Sequence, residues 1–446
     1  MDDRPTRVAV LGLDGVPYSL LTHLFQNGVM PNLSKAAGSG TFLPMTTVLP
    51  PVSSTAWASF MTGANPGVHG IFGFVDVKPN ELALHLPSFD DIRCPVLWQR
   101  IPHKRSVVVN LPFTFPARPL NGILIAGFVA PVLERSVYPE SLLPWLKSRR
   151  YRIDVDSVRG RRDRRALMED LFETLTIREE VILALMDSEP WDLFIGVITG
   201  TDRLHHFFYD AYWDQGHPYH NDFVDYYRRL DAFVGRFLDH MGSSVRLVVL
   251  SDHGFTHLKT QVYLNHILKS MGHLVFAAPD PTSLEHIHPL SRAFAMEPGR
   301  IYLNCRDRFK NGVLGATEAM EFRERLRNEL ASIRLEDLGL HDPHDGPGPS
   351  ERLFADVLVK EDVYKGDLLP MAPDLIVIPK RGYDVKAGLP PPAAAMTDIF
   401  TGMHTHDDAF LIVDDPLVAE RLPTPEITDV AGLILEILDE VRLVSP

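Results

Sequence analysis

Apolar residues along this chain gather into short uninterrupted runs instead of alternating with polar ones. Runs rich in Val, Ile and Leu occur at 8–13 (VAVLGL), 107–111 (VVVNL), 122–128 (GILIAGF), 193–199 (LFIGVIT), 246–251 (RLVVLS), 374–379 (DLIVIP) and 409–413 (AFLIV). A strand with one face in water alternates, whereas a strand covered on both faces is apolar throughout, so these runs predict a mainly parallel sheet. Between them, residues 17–27, 164–187, 222–240, 316–332 and 425–442 place apolar side chains at three- and four-residue spacing and predict helices. The first of these has Pro17 where a first helical residue is expected and ends at Gly28. Strands and helices in alternation predict an α/β sandwich, a mainly parallel central sheet flanked by helices. A single catalytic domain over 1–446 is expected, with about 256–350 as an insertion or small cap inside it. Residues 256–300 and the polar, Pro/Gly-rich 335–352 fit the alternation poorly, and 75–105 with 129–165 form a looser stretch over the core.

Composition narrows the function. A hydrophobic fraction of 45% and a charged fraction of 23% are those of an ordinary globular protein. The formal net charge of −14 argues against a nucleic-acid polymer or an anionic membrane as partner, because both require basic surfaces. That charge is awkward for an enzyme acting on phosphate anions unless bound cations offset it locally. Cys94 and Cys305 are the two cysteines, too few and too far apart for a disulfide framework or a thiolate metal site, and they suit a reducing compartment. The first residues run directly into an apolar strand with no secretory pattern, and no apolar run reaches the roughly 20 residues of a membrane span. A cytoplasmic protein is the expectation; the sequence says nothing of oligomeric state.

In open α/β sheets, ligands bind beyond the carboxyl ends of the strands, and the reactive side chains of this chain collect there. VAVLGL runs into Asp14, LFIGVIT into Asp202 with His206 four residues on, and RLVVLS into Asp252-His253-Gly254. His404 or its neighbour His406 precedes AFLIV, on a rim the sequence leaves open. Taken singly, Asp14 is a turn or cap residue as readily as a ligand, and Asp202 with His206 suits a helix start. Repetition at separate strand ends is what favours divalent-metal ligation by carboxylate and imidazole. His205 and His257 read as neighbours outside the ligand set. The segment 49–63 (LPPVSSTAWASFMTG) adds hydroxyl groups at a predicted helix start, where amide groups and the dipole favour anions. Ser53, Ser54 or Thr55 there is either a nucleophile beside a metal or a simple cap.

These residues resemble the type I phosphodiesterase/nucleotide pyrophosphatase family of the alkaline phosphatase superfamily. The resemblance rests on VLGLDG, on PPVSSTAWASFMTG with the following NPGVHGI (50–71), on TDRLHH (201–206), on LSDHGF (250–255) and on GMH (402–404), so it runs from residue 8 to 404. It implies an alkaline-phosphatase-like sandwich and two divalent cations, zinc as usual in such relatives or manganese. One cation falls to Asp202, His206 and His404, the other to Asp14, Asp252 and His253. It places the nucleophile on Ser53, ten residues before Gly63, with Ser54 as the fallback. It implies hydrolysis of small phosphoesters, diesters foremost, through a phosphoseryl intermediate.

Departures limit the analogy. Nucleotide pyrophosphatases carry Thr as nucleophile and an Asn three residues on; here those positions are Ser53 and Ala56, so nucleotide specificity does not follow. Arg203 is a candidate to contact the substrate in place of that Asn. The alternatives are a phosphomonoesterase, phosphonate hydrolase or phosphomutase on the same scaffold, and a metal-binding protein without catalysis.

Overall fold

The computed structural model describes residues 6–78, 82–277, 286–340, 351–388, 394–395 and 399–438. The chain forms two compact units, one of residues 1–64, 88–256 and 399–446 and one of residues 65–87 and 257–398.

The first unit is built on an eight-stranded sheet. Its strands are β1 (Arg7–Leu13), β2 (Thr41–Met45), β3 (Ser106–Leu111), β4 (Gly122–Ala126), β5 (Val137–Tyr138), β6 (Leu193–Ile198), β7 (Val245–Leu250) and, after a short separate pair β8 (Gly254–His257) and β9 (Gly402–Thr405), β10 (Ala409–Val413). The order across the sheet is β2-β10-β7-β1-β6-β3-β4-β5. The five central strands are parallel, and antiparallel strands close both edges. Strands β3, β4, β6 and β10 are buried at every residue, which is why their sequences do not alternate. This is the α/β sandwich with a mainly parallel core that the sequence predicts.

Flanking helices include α1 (Tyr18–Gln26), α2 (Ser53–Thr62), α3 (Arg164–Ser188), α4 (Gly200–Trp213), α5 (His220–Met241) and α6 (Asp429–Ile437). Predicted helix bounds agree within a few residues. Pro17 caps α1 from outside instead of starting it. The C-terminal helix is shorter than 425–442, and residues 439–442 lie outside the described residues. The aromatic run after His206 serves packing, for Phe207, Phe208 and Tyr209 are all in the core of this unit.

One strand departs from expectation. DLIVIP does not join the parallel sheet; Leu375–Pro379 lies in a four-stranded antiparallel sheet of the second unit with Ala293–Met296, Arg300–Leu303 and Phe354–Val359. That unit has its own apolar core, to which the helix Ala316–Ser332 contributes Phe322, Leu326 and Leu330. A strand buried there is as uniformly apolar as one in a parallel sheet, so its run of Leu, Ile and Val carried no sign of which sheet it joins. Part of the Pro/Gly-rich 335–352 stretch, residues 341–350, lies outside the described residues.

Candidate metal centre and active site

Register brings the carboxyl ends of three central strands level. Leu13 of β1 pairs with Ile198 of β6, and Gly12 pairs with Leu250 of β7. Asp14, the start of α4 and the Ser251-Asp252-His253 turn therefore leave the sheet along one rim. Strand β10 runs antiparallel to β7 with Leu411 opposite Leu250, so the chain entering β10 comes from that same rim. His404, on β9 just before it, is thereby carried to the site. His406 is not in the cluster; its carbonyl accepts the Thr47 amide.

Two groups of ligand-type atoms converge. Asp14, Asp252 and His253 form one, Asp202, His206 and His404 the other, and within each group one ligand atom per residue lies within 4.8 Å of the rest. The groups adjoin, with the rings of His253 and His404 stacked at a centroid distance of 3.8 Å. In the second group His404 Nε2 is 3.1 Å from Asp202 Oδ1 and 2.9 Å from His206 Nε2. His404 Nδ1 lies 2.8 Å from the Pro51 carbonyl, which can only accept, so Nδ1 carries a proton and Nε2 faces the cluster. His253 is oriented alike, with Nδ1 at 3.1 Å from the Gly254 carbonyl and Nε2 at 3.4 Å from Asp252 Oδ2.

The carboxylates are held by one oxygen each. Asp14 Oδ2 accepts the Trp57 indole N–H at 3.1 Å, while its Oδ1 is buried without a hydrogen-bond partner among the described residues. Asp252 Oδ1 accepts the Gly15 amide at 3.0 Å, while its Oδ2 is likewise buried and unpartnered. Buried carboxylate oxygens without a donor are costly, on the order of 1–3 kcal/mol or more each. Two of them pointing toward an imidazole lone pair is the arrangement a divalent cation satisfies, and a donor set of oxygens and imidazole nitrogens suits zinc or manganese.

Electrostatics point the same way. Burial pushes the Asp14 carboxyl well above the usual carboxylate range, and the charges of Asp252 and Asp202 push it further. Burial likewise raises Asp252, to about 7. Burial drives the His253 imidazole well below its ordinary value, which keeps it a neutral ligand. Asp202 differs. Burial opposes its charge, but His206, His404 and Arg203 outweigh that and hold its carboxyl well below the usual range. The first group is thus starved of positive charge, which a bound cation would supply.

Ser53 opens α2, and its Oγ lies 3.4 Å from His253 Nε2. Ser54 Oγ and Thr55 Oγ1 are fully buried with no hydrogen-bond partner among the described residues, so Ser53 is the hydroxyl that meets the cluster. The first amides of a helix have no acceptor within it and face whatever lies before its N-terminus. Trp57, one turn after Ser53 on the same helix, reaches Asp14, so α2 presents both groups from one face.

Several supporting contacts were not legible in sequence. Arg203 donates to Asp202 Oδ2 through Nη1 at 3.0 Å and to Asp154 Oδ2 through Nε and Nη2 at 3.0 and 2.7 Å, and its guanidinium lies over the Phe128 ring at 4.4 Å. Thr201 Oγ1 donates to the Asp14 carbonyl at 2.6 Å and ties α4 to the end of β1. His205 is fully buried between the Gly15 carbonyl at 2.9 Å and the Tyr227 hydroxyl at 2.7 Å, outside both ligand groups, as expected of it. Trp57 had a signal, its four-residue distance from Ser53. Pro51, Asp154 and the Gly15 amide had none, because a backbone group or a partner about fifty residues away leaves no pattern.

Comparison with known proteins follows the same lines. No curated protein sequence is similar enough to count as a relative. Among solved structures, phosphonoacetate hydrolase from Sinorhizobium meliloti 1021, in complex with phosphonoformate, superposes with a TM-score of 0.64 at 16% identity, over 97% of this chain and 96% of that one. Murine ectonucleotide pyrophosphatase/phosphodiesterase 5, an inactive form in complex with AMP, gives a TM-score of 0.56 at 12% identity over 99% and 97% of the two chains. Its human counterpart gives 0.55 at 12% identity over the same shares. At these identities the likeness is one of fold. The family described as Type I phosphodiesterase / nucleotide pyrophosphatase matches residues 8–407, nearly the whole chain and both ligand groups. The chain therefore belongs to the type I phosphodiesterase/nucleotide pyrophosphatase family, metal-dependent phosphoric ester hydrolases of the alkaline phosphatase superfamily.

Proposed function

We propose that this protein hydrolyses small phosphoesters, diesters foremost, by attack of Ser53 Oγ on phosphorus beside two divalent cations. The observation that carries this reading is the pair of adjoining ligand groups, each converging on one point, with Ser53 Oγ against the first. Asp14, Asp252 and His253 would hold one cation, zinc or manganese, and Asp202, His206 and His404 the other. Cations there supply Lewis-acid stabilisation of the charge that develops on the attacking and leaving oxygens.

The chain's own residues do the rest. Ser53 Oγ forms the new bond to phosphorus as the leaving oxygen departs, giving a phosphoseryl ester; water then displaces Ser53 and releases the phosphorylated product. The first amides of α2 are placed to donate to a phosphoryl oxygen, a role left to them because Ala56 cannot supply the amide side chain of nucleotide pyrophosphatases. Trp57 and Gly15 fix the orientation of Asp14 and Asp252. Arg203 directs three of its donors to Asp154 and Asp202, so we assign it to positioning Asp202 in preference to contacting the substrate. The partner is accordingly a small phosphorylated molecule, and the two free cysteines suit a reducing compartment. Among the described residues no helix is long and apolar enough to cross a membrane.

A panel of aryl phosphate monoesters, diesters and phosphonoacetate, offered to the metal-loaded protein, tests the reaction. Faster release from the diesters supports the reading. Release from phosphonoacetate alone would transfer the assignment to phosphonate hydrolysis, and no release from any member would leave a metal-binding protein.

A further inference from the structure

An acidic chain with three aspartates around its reactive centre is a poor attractor for anions, yet one segment of it is strongly basic. Five arginines fall within residues 159–165, interrupted by Gly160 and Asp163. They cover the end of the short helix Ser157–Gly160 and the start of α3. Cations are disfavoured at a helix N-terminus, where the dipole is already positive, so helix stability does not account for Arg162, Arg164 and Arg165, and a helix of a single turn has only a small dipole to offer Arg159 and Arg161 at its C-terminal end. The acidic groups nearby are used locally. Asp163 caps α3 by accepting the Ala166 amide, Asp156 accepts the Arg159 amide, and Glu169 and Asp222 pair with Arg165. Arg159, Arg161 and Arg162 are exposed and have no carboxylate partner among the described residues.

A charge run is ordinarily a solvated face, but this one is anchored beside a metal ligand. The Arg161 guanidinium lies over the Phe400 ring at 5.5 Å, and Phe400 packs against the ring of His206 at 5.7 Å. Arg164 donates to the carbonyl of Ile399, the residue before Phe400, at 3.1 Å. One aromatic ring thus separates Arg161 from His206 of the second ligand group, and Arg159 and Arg162 flank Arg161 in the chain.

We propose that Arg159, Arg161 and Arg162 form a cationic rim that binds negative charge carried by the substrate away from the reacting phosphorus. The substrates this favours are phosphoesters whose substituent bears a further phosphate or carboxylate. A low-dielectric wall such as Phe400 focuses the field of such a rim, and steering of this kind raises association rates by about tenfold or more. The inference rests on the hydrolytic reading above.

A matched pair of substrates tests it: the p-nitrophenyl ester of thymidine 5'-phosphate and the same ester with a 3'-phosphate, which share the scissile bond. With metal-loaded wild-type protein, the 3'-phosphorylated ester is expected to have a KM about tenfold lower and a steeper loss of kcat/KM with salt. In the triple variant Arg159→Gln, Arg161→Gln, Arg162→Gln that advantage disappears through KM. Removing equal charge at Arg93, Arg149 and Arg228 preserves it. Equal KM values for the two esters in wild type, or an advantage that survives in the triple variant, would overturn the rim. Release of p-nitrophenol from neither ester by wild type would overturn the hydrolytic reading itself, and the rim with it.

Discussion

At the scale of single residues, Ser53 stands for the proposed chemistry and Trp57 for its support. Ser53→Ala removes the proposed attacking oxygen while leaving all six proposed ligands in place, so turnover is expected to fall at least about a thousandfold with metal content unchanged. Full activity in that variant would remove Ser53 from its role. Trp57→Phe tests support. Trp57 is fully buried and its indole N–H holds Asp14 Oδ2, so the variant loses a hydrogen bond to a carboxylate, about 1–3 kcal/mol of stability. It also loses the restraint on a ligand, for which a drop of about tenfold in metal affinity at the first group is expected. Metal titration followed by calorimetry reads this directly, and unchanged affinity would show that Asp14 is oriented without the indole.

At the scale of elements, the position of His404 depends on how β9 lies against α4. A Cβ on Gly402 would come within 2.5 Å of the His205 carbonyl oxygen, 2.9 Å of Phe255 Cδ1 and 3.0 Å of Tyr209 Cβ, and the nearest of these is helix backbone, which cannot swing aside. Gly402→Ala is therefore expected to push β9 from α4 and carry His404 off Asp202 and His206. The protein should then bind one cation in place of two, with activity lost, while the first group remains intact. Two cations bound to a folded Gly402→Ala protein would show that His404 does not depend on that approach. Elements also explain what the sequence could and could not convey. Parallel strands buried on both faces are uniformly apolar, so the passage from LFIGVIT or RLVVLS into polar residues marked the site. The rim on which His404 lies follows from the antiparallel direction of β10, and direction in a sheet is a property of pairing that a single strand's sequence does not carry. For the same reason the run at 374–379 did not disclose its antiparallel sheet.

For the whole molecule, the proposed metal binding would be linked to folding. The raised carboxyl of Asp252, at about 7, means that the metal-free protein holds a proton there that the unfolded chain releases near the ordinary carboxylate value. The stability this proton confers is complete below that ordinary value and is lost as pH rises through about 7. A cation held by Asp252 would replace that proton, so its contribution would grow over the same range. The gap in melting temperature between loaded and metal-free protein should therefore widen from about pH 5 to about pH 8; a constant gap would contradict the linkage. Addition of zinc or manganese to the metal-free protein, following bound metal and hydrolysis of bis(p-nitrophenyl) phosphate together, tests the two-cation site itself. No hydrolysis is expected without metal, and full activity is expected only when two cations are bound per chain. Full activity in the metal-free protein, or saturation at one cation, would contradict it.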